Sequence, residues 1–208
     1  MLTPEQLLAF LLAAIAVTAS PGPDNLMVLG VGMSKGRRYG VAFGLGCALG
    51  CLSHTLLAVL GVSALIAASP LAFTVLKVGG GLYLVWLGVQ ALRSRGGARA
   101  ADAGAGHVTV QGLFLRGVFA NAINPKVVLF FLSFLPQFVV PAQGSVAGQM
   151  AALGVAFTLQ AALLFGLLGW FAGSVGQWFE RKPRAGLWLD RLAGAIFVGL
   201  GLRLIVAR

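Results

Sequence analysis

The sequence contains very little charge. Asp, Glu, Lys and Arg make up 10% of its 208 residues, whereas hydrophobic residues make up 59%. The mean hydropathy of +0.94 is far above that of soluble domains of this length. Residues 41–76 and 127–179 hold no charged residue at all. Each of these runs exceeds the roughly 20 residues that cross a bilayer, so each must hold more than one span. The composition therefore predicts an all-α integral membrane protein.

The residue types that most enzymes and metal sites need are also scarce. The chain has five acidic residues, two histidines and two cysteines. It contains no Gly-rich phosphate loop and no cluster with metal-ligand spacing. We therefore predict no enzymatic activity, no cofactor and no metal. The net charge of +10 would favour nucleic acid only on the basic face of a soluble fold, so no nucleic-acid partner is expected.

Hydropathy divides the chain into six predicted spans, and the basic residues orient them. Three loops, the first, third and fifth, carry three, four and four of the 15 Lys and Arg residues, whereas the second and fourth carry none. By the positive-inside rule the odd loops are cytoplasmic and both termini face outward. The first and fifth spans are over-long, which indicates a tilt or a break. The spans are residues 6–33, 41–67, 71–92, 117–139, 149–179 and 187–206. The N-terminus has no basic segment before its apolar run, so we interpret it as a retained helix rather than a signal peptide.

The middle of the chain divides it into two halves. Residues 94–107 are rich in Ala, Gly and Arg and show no apolar periodicity. We predict a first three-helix repeat over residues 1–93, a cytoplasmic linker over 94–116 and a second repeat over 117–208. Three spans end on the opposite side from where they began, so the two repeats must be inverted. A weak similarity between residues 77–84 and 191–198 favours the repeat, although Gly-rich apolar helices can also resemble one another by chance.

Two of the spans are interrupted by proline at matching places. The first contains SPGPDN at residues 20–25, and the fourth contains NAINPK at residues 121–126. Proline removes a helical hydrogen bond, and Ser20-Pro21 and Asn124-Pro125 each match an N-cap followed by proline at the first helical position. Unwound backbone inside a membrane requires a polar cavity, and paired breaks are typical of a transporter's substrate site. The alternative is a pair of kinks that only shape the bundle.

Two charges lie well inside the predicted spans, one at each break. They are Asp24 and Lys126. Burial of either is costly unless it is paired or hydrated. They could form a permanent structural salt bridge. Alternatively, they could bind opposite ends of a zwitterion, with its carboxylate at Lys126 and the half-helix ends and its ammonium at Asp24.

Other polar residues of the spans leave two interpretations open. His54 in the second span could shuttle protons or could be a packing residue. Gln160, Asn121 and Ser53 could line the same cavity or could hold helices together. We interpret Cys47 and Cys51, four residues apart on one helix, as small packing residues.

Three segments together resemble the LysE/RhtB family of amino-acid exporters. They are SPGPDN at residues 20–25, LKVGGGLYLVWLG at residues 76–88 and NPKVVLFFLSFLPQF at residues 124–138. The resemblance implies a multi-pass exporter of the bacterial inner membrane that is coupled to the proton motive force. In that membrane, the outward-facing termini that the positive-inside rule predicts are periplasmic. It covers Pro21, Gly22, Pro23 and Asn25 in the first span and Asn124, Pro125 and Lys126 in the fourth, and His54 falls where some relatives have a histidine.

The sequence thus predicts an exporter of amino acids or related small zwitterions, with the substrate between the two broken helices. Its expected partners are the amino acid, protons and the lipid bilayer, and a homodimer is left open. The predicted proton-coupling residues are Asp24 and His54. The predicted substrate-binding residues are Ser20, Pro21, Gly22, Pro23, Asp24, Asn25, Asn121, Asn124, Pro125 and Lys126. Two alternatives are a thiol oxidoreductase, which would need Cys47 and Cys51 brought together, and a metal-ion exporter, which the lack of a ligand cluster disfavours.

Overall fold

Every regular element of the described chain is helical. The computed structural model describes residues 2–62, 64, 68–94 and 108–206. The helices are α1 (Pro4–Ala19), α2 (Pro23–Lys35), α3 (Arg37–Leu57), α4 (Pro70–Arg93), α5 (Val110–Ala122), α6 (Pro125–Leu129), α7 (Val146–Trp170), α8 (Ala172–Arg181) and α9 (Pro183–Val206). A π-helical turn, Ala58–Val62, continues α3. A π-helical turn, Phe130–Phe134, and a 3₁₀ turn, Leu135–Phe138, continue α6. An all-helical membrane fold, as the sequence predicts, is what the structure shows.

The proline motifs mark the ends of helices. Asn124 caps α6 by accepting a hydrogen bond from the Lys126 backbone N–H at 3.0 Å, and Pro125 occupies the first helical position. In the first motif the prediction of a cap at Ser20 is wrong. Ser20 instead ends α1 in an extended conformation, because a residue before proline is disfavoured in the helical region. The next helix begins three residues later, at Pro23, with Gly22 as its cap.

Two pairs of consecutive helices are bent at these motifs. The axis turns by 57° between α1 and α2, and by 50° between α5 and the segment Pro125–Phe138. Within the described residues, three further helices are long and apolar enough to cross a membrane, which gives up to five spans if each bent pair counts as one. The sixth predicted span, residues 187–206, lies within α9, whose four charged residues keep its sequence less apolar. The six-span inverted repeat stays a prediction.

Helix α3 lies at the centre and packs against α2, α5 and α7. Glycine allows the backbones to approach closely at two of these contacts. A Cβ atom at Gly44 would lie 2.7 Å from the Phe165 carbonyl oxygen of α7, and one at Gly50 would lie 2.7 Å from the Val118 carbonyl oxygen of α5. Small residues at such crossings let helices pack closely in lipid. This packing is what associates them there, because lipid is as apolar as the helices and provides no hydrophobic driving force.

Helices α4 and α9 form a second, antiparallel pair. A Cβ atom at Gly81 would lie 3.0 Å from the Gly201 carbonyl oxygen, and one at Gly88 would lie 2.7 Å from the Gly194 carbonyl oxygen. Helix α4 also packs against the π-helical turn after α6. Of the predicted linker, residues 95–107 lie outside the described residues. The helix that follows already begins at Val110, where the Thr109 hydroxyl caps the Gly112 N–H.

Polar groups lie inside the bundle and large apolar side chains lie outside it. Side chains such as Leu12, Leu60 and Leu71 are more than 60% exposed, which would be unfavourable in water over so many residues. In contrast, Asp24 and Lys126 are among the most buried polar residues, at 3% and 6% exposed. This distribution fits a bilayer as solvent and places the polar site at the two helix breaks.

Candidate functional site

Lys126 holds the end of α1. Its ammonium donates to the backbone oxygens of Val17, at 3.0 Å, and Ser20, at 3.1 Å, and to the Ser20 hydroxyl at 3.1 Å. The last carbonyls of a helix have no partner within the helix and carry the negative end of its dipole, so a cation is stabilised there. The ring of Phe197 in α9 lies 5.8 Å from the same nitrogen. All three N–H donors of the ammonium are therefore engaged, and by groups other than a carboxylate.

Asp24 is held by a different residue. It lies in the first turn of α2, where the positive end of the helix dipole favours an anion. Its Oδ2 accepts a hydrogen bond of 2.7 Å from the Asn121 side-chain amide of α5. The two intramembrane charges therefore take their hydrogen bonds from separate partners, and each is matched to a helix end of opposite polarity.

A small cavity lies between the two charges. The centre of a water molecule can reach about 10 Å³ of it, which is room for about one water. Its lining residues are Val17, Thr18, Asp24, Asn25, Cys51, Asn121, Lys126, Val127, Phe157 and Phe165. In this conformation the cavity is too small for an amino acid, which could bind only after the surrounding helices separate.

Four of the ten predicted substrate-binding residues line this cavity: Asp24, Asn25, Asn121 and Lys126. Ser20 and Asn124 are buried beside it and act through the hydrogen bonds already described. The side chain of Pro21 is half-buried, and those of Pro23 and Pro125 are exposed. These prolines contribute to the site by starting or ending helices rather than by contact with the cavity.

Gly22 leaves the room that the Lys126 ammonium occupies. A Cβ atom at this position would lie 2.8 Å from Lys126 Nζ. The backbone of Gly22 is extended, with φ −174°, a conformation that any residue adopts. The constraint at this position is therefore space for the ammonium, not backbone freedom.

Asn121 joins the first break to helix α3. Its backbone oxygen lies 3.0 Å from His54 Nε2, and its side-chain oxygen lies 3.4 Å from the Cys51 thiol, while its amide nitrogen holds Asp24. Since a carbonyl oxygen only accepts, Nε2 carries a proton, and the other ring nitrogen, Nδ1, is buried with no hydrogen-bond partner in the described part of the chain. His54 is 1% exposed and packs against the ring of Phe131. His54 and Asp24 are thus connected through a single residue.

Thr18 contacts two amide side chains at the opposite wall. Its backbone oxygen accepts from Asn25 Nδ2 at 2.9 Å, and its hydroxyl oxygen accepts from Gln160 Nε2 at 2.8 Å. Gln160 therefore contacts a residue that lines the cavity but does not line the cavity itself. Ser53 does not line it either, because its exposed hydroxyl donates to Gly50 on its own helix at 2.7 Å.

The two cysteines are free thiols, and both are buried. The Cys51 thiol donates towards the Cys47 backbone oxygen, 3.6 Å away, as expected for residues one turn apart on a helix. Among the described residues, no group of three or more His, Cys, Asp and Glu side chains could hold a metal ion.

Sequence reasoning missed the roles of Thr18, Cys51, Phe157 and Phe165. Thr18 lies in a run of small residues just before the break, and the two phenylalanines are spaced as ordinary packing residues. Their spacing gave no signal, because what places them at the cavity is the packing of α1, α3 and α7.

Comparisons with known proteins point to one family. Residues 15–208 match the LysE type translocator family. A threonine efflux protein of Escherichia coli K12 is 33% identical over 93% of this chain and 94% of its own. A homoserine/homoserine lactone efflux protein of Salmonella typhimurium is 31% identical over 100% and 99%. An uncharacterized membrane protein of Vibrio cholerae is 34% identical over 97% of both chains. No solved structure matches the chain. With an all-helical membrane fold, a polar site at two helix breaks and full-length efflux proteins among its relatives, the chain belongs to the LysE type translocator family of amino-acid efflux transporters.

Proposed function

We propose that the protein exports a small amino acid across the bacterial inner membrane, driven by the proton motive force, and binds it between the bent pairs α1/α2 and α5/α6. The observation that carries this proposal is the pair of buried charges. Asp24 and Lys126 line one cavity, yet each is hydrogen-bonded to groups other than its opposite charge. The two charges are not hydrogen-bonded directly to each other, so both are available to bind a zwitterion.

The substrate carboxylate would replace one of the groups that are hydrogen-bonded to the Lys126 ammonium. The Ser20 hydroxyl is the group most readily displaced, since it also donates to the Val17 backbone oxygen at 2.8 Å and keeps that bond when it leaves the ammonium. A second donor lies nearby, because Asn124 Nδ2 is buried without a hydrogen-bond partner in the described residues. The substrate ammonium would bind Asp24, with Asn121 holding the carboxylate in place.

Proton coupling would use the connection from Asp24 through Asn121 to His54. A transporter that lacks an ATP-binding motif draws on an ion gradient or on the substrate's own gradient. A proton on Asp24 would compete with the substrate ammonium for the same carboxylate, which links the two binding events. His54, whose Nδ1 has no hydrogen-bond partner in the described part of the chain, could take up that proton.

The packing directions support the inverted repeat. If six spans alternate in direction, the second and fourth spans must run parallel, and the third and sixth antiparallel. Helices α3 and α5 are parallel, since Gly46 meets Phe114 and Gly50 meets Val118, while α4 and α9 are antiparallel. We accordingly propose two inverted three-helix halves, over residues 1–93 and 117–208, with both termini periplasmic.

The relatives named for threonine and homoserine efflux favour amino acids with small, uncharged side chains as substrates. Expression in cells loaded with a dipeptide mixture, followed by profiling of the medium, tests this directly. We expect one or a few such amino acids to accumulate outside, and accumulation to stop when a protonophore collapses the proton gradient.

Ser20→Ala and Ser53→Ala provide a matched pair. The first removes a hydroxyl that contacts Lys126 and should alter the rate of export, whereas the second removes an exposed hydroxyl that bonds within α3 and should not. A medium profile that is identical with and without the protein would refute the export function.

A further inference from the structure

We propose that Thr18, Asn25 and Gln160 form the subsite for the substrate side chain, and that this subsite accepts a hydrogen bond from a hydroxyl group. The inference rests on the proposed export function, in which Asp24 and Lys126 bind the ammonium and carboxylate common to all amino acids. What remains of the cavity wall must then distinguish one side chain from another.

The orientation of the Asn25 amide is fixed by its partner. Its nitrogen lies 2.9 Å from the Thr18 backbone oxygen, which can only accept, so the NH₂ group faces Thr18 and the oxygen faces away. Asn25 lines the cavity and is 8% exposed, and its Oδ1 is buried with no hydrogen-bond partner among the described residues. The cavity wall therefore contains a hydrogen-bond acceptor, Asn25 Oδ1, that has no donor in the described residues.

Gln160, which contacts the cavity-lining residue Thr18, supplies a second acceptor without a donor in the described chain. Its nitrogen lies 2.8 Å from the Thr18 hydroxyl oxygen, and its Oε1 is likewise buried and without a partner in the part of the chain that the structure describes. Thr18, 4% exposed, thus holds two amides by two different atoms. It is a positioning residue that aims both amide oxygens.

The side chains that α7 contributes to the cavity wall are apolar. Phe157 and Phe165 line the cavity from α7, the helix that also carries Gln160. Buried acceptors that lack a donor cost free energy, which a substrate hydroxyl would recover. A cationic side chain would be disfavoured here, because in the proposed binding mode Asp24 already binds the substrate ammonium and the subsite itself offers only amides. Short side chains that end in a hydroxyl fit this chemistry.

Threonine and valine provide the test, because they have nearly the same shape and differ by a hydroxyl in place of a methyl. Purified protein in liposomes loaded with unlabelled amino acids exchanges them for labelled threonine or valine added outside, which needs no driving force. Wild type should prefer threonine by roughly ten-fold or more, since sites built to bond a hydroxyl reject analogues that lack it.

Gln160→Met removes the amide at similar length, and Thr18→Val removes the hydroxyl that holds it. Each should lower the threonine/valine ratio about ten-fold, the order expected for one buried acceptor that loses its donor. Thr18→Ser keeps the hydroxyl and should keep the ratio. Thr158→Val is the matched control on α7, because its hydroxyl bonds to the Gly154 backbone oxygen one turn away, at 3.0 Å.

The outcomes separate the subsite from the export function. Equal exchange of threonine and valine by wild type, or a ratio that Gln160→Met and Thr18→Val both leave unchanged, would overturn the subsite while leaving amino-acid export in place. Absence of exchange with every amino acid would overturn both. If Gln160→Met fails to insert, the ratios of Thr18→Val and Thr18→Ser still decide the question.

Discussion

Neutral replacement of the two buried charges, singly and together, tests whether they serve each other or a substrate. Lys126→Met removes a cation that satisfies three acceptors at the end of α1. Hydrogen bonds to charged groups contribute about 1.5–3 kcal/mol each, whereas those within membranes average about 0.6 kcal/mol. Three such bonds therefore give a destabilisation of about 2–9 kcal/mol. Asp24→Asn keeps an oxygen that accepts from Asn121 and should cost only about 1 kcal/mol.

The double replacement decides between the interpretations. A permanent salt bridge predicts that removal of both charges rescues the stability lost by removal of one. Once Lys126 is replaced, the acceptors at the end of α1 lose the ammonium whether or not Asp24 is charged, so the double variant should be about as unstable as Lys126→Met. Export should be absent from all three variants, because each lacks one end of the zwitterion clamp.

The assay is thermal unfolding of the purified variants in detergent, together with their abundance in the membrane and their efflux rate. Two results would contradict the reasoning. One is a double variant that recovers more than half of the stability lost by Lys126→Met. The other is a double variant that exports at the wild-type rate, which would show that the charges only neutralise each other.

Three further predictions follow from the same contacts. Gly22→Ala would place a Cβ atom 2.8 Å from Lys126 Nζ, so the ammonium should move by about 0.6 Å to reach ordinary contact at 3.4 Å, and efflux should slow. Gly79→Ala, where a Cβ atom meets nothing within 4 Å, should be neutral in the same assay. Pro125→Ala should insert normally but impair efflux, because the new N–H can bond to the Asn121 backbone oxygen that His54 now contacts; wild-type efflux would show that the break has no role in transport. Tags on both termini should be reachable from outside, and a tag within residues 99–107 only after permeabilisation, so a cytoplasmic N-terminus would disprove the proposed topology.

Much of the architecture follows from local chemistry that can be read directly from the sequence. Scarce charge and long apolar runs require a membrane, since no aqueous fold could cover that surface. Proline has no N–H and disfavours a helical residue before it. The interruptions in both broken segments therefore follow from the positions of proline in the sequence. These rules act within a few residues, which is also why the position of the first break was predicted to within two or three residues and its cap was assigned to Ser20 instead of Gly22.

Tertiary structure alone decided what the buried charges touch. Lys126 reaches Ser20 across 106 residues of sequence, and Asn121 reaches Asp24 across 97, contacts that no local pattern encodes. The sequence allowed a direct ion pair, but close packing of glycine-lined helices instead brings each charge to a helix end of opposite polarity. The same packing brings Gln160 to Thr18, 142 residues away. Local rules place the breaks because they depend on neighbouring backbone atoms, whereas the cavity depends on how separate helices fit together in three dimensions.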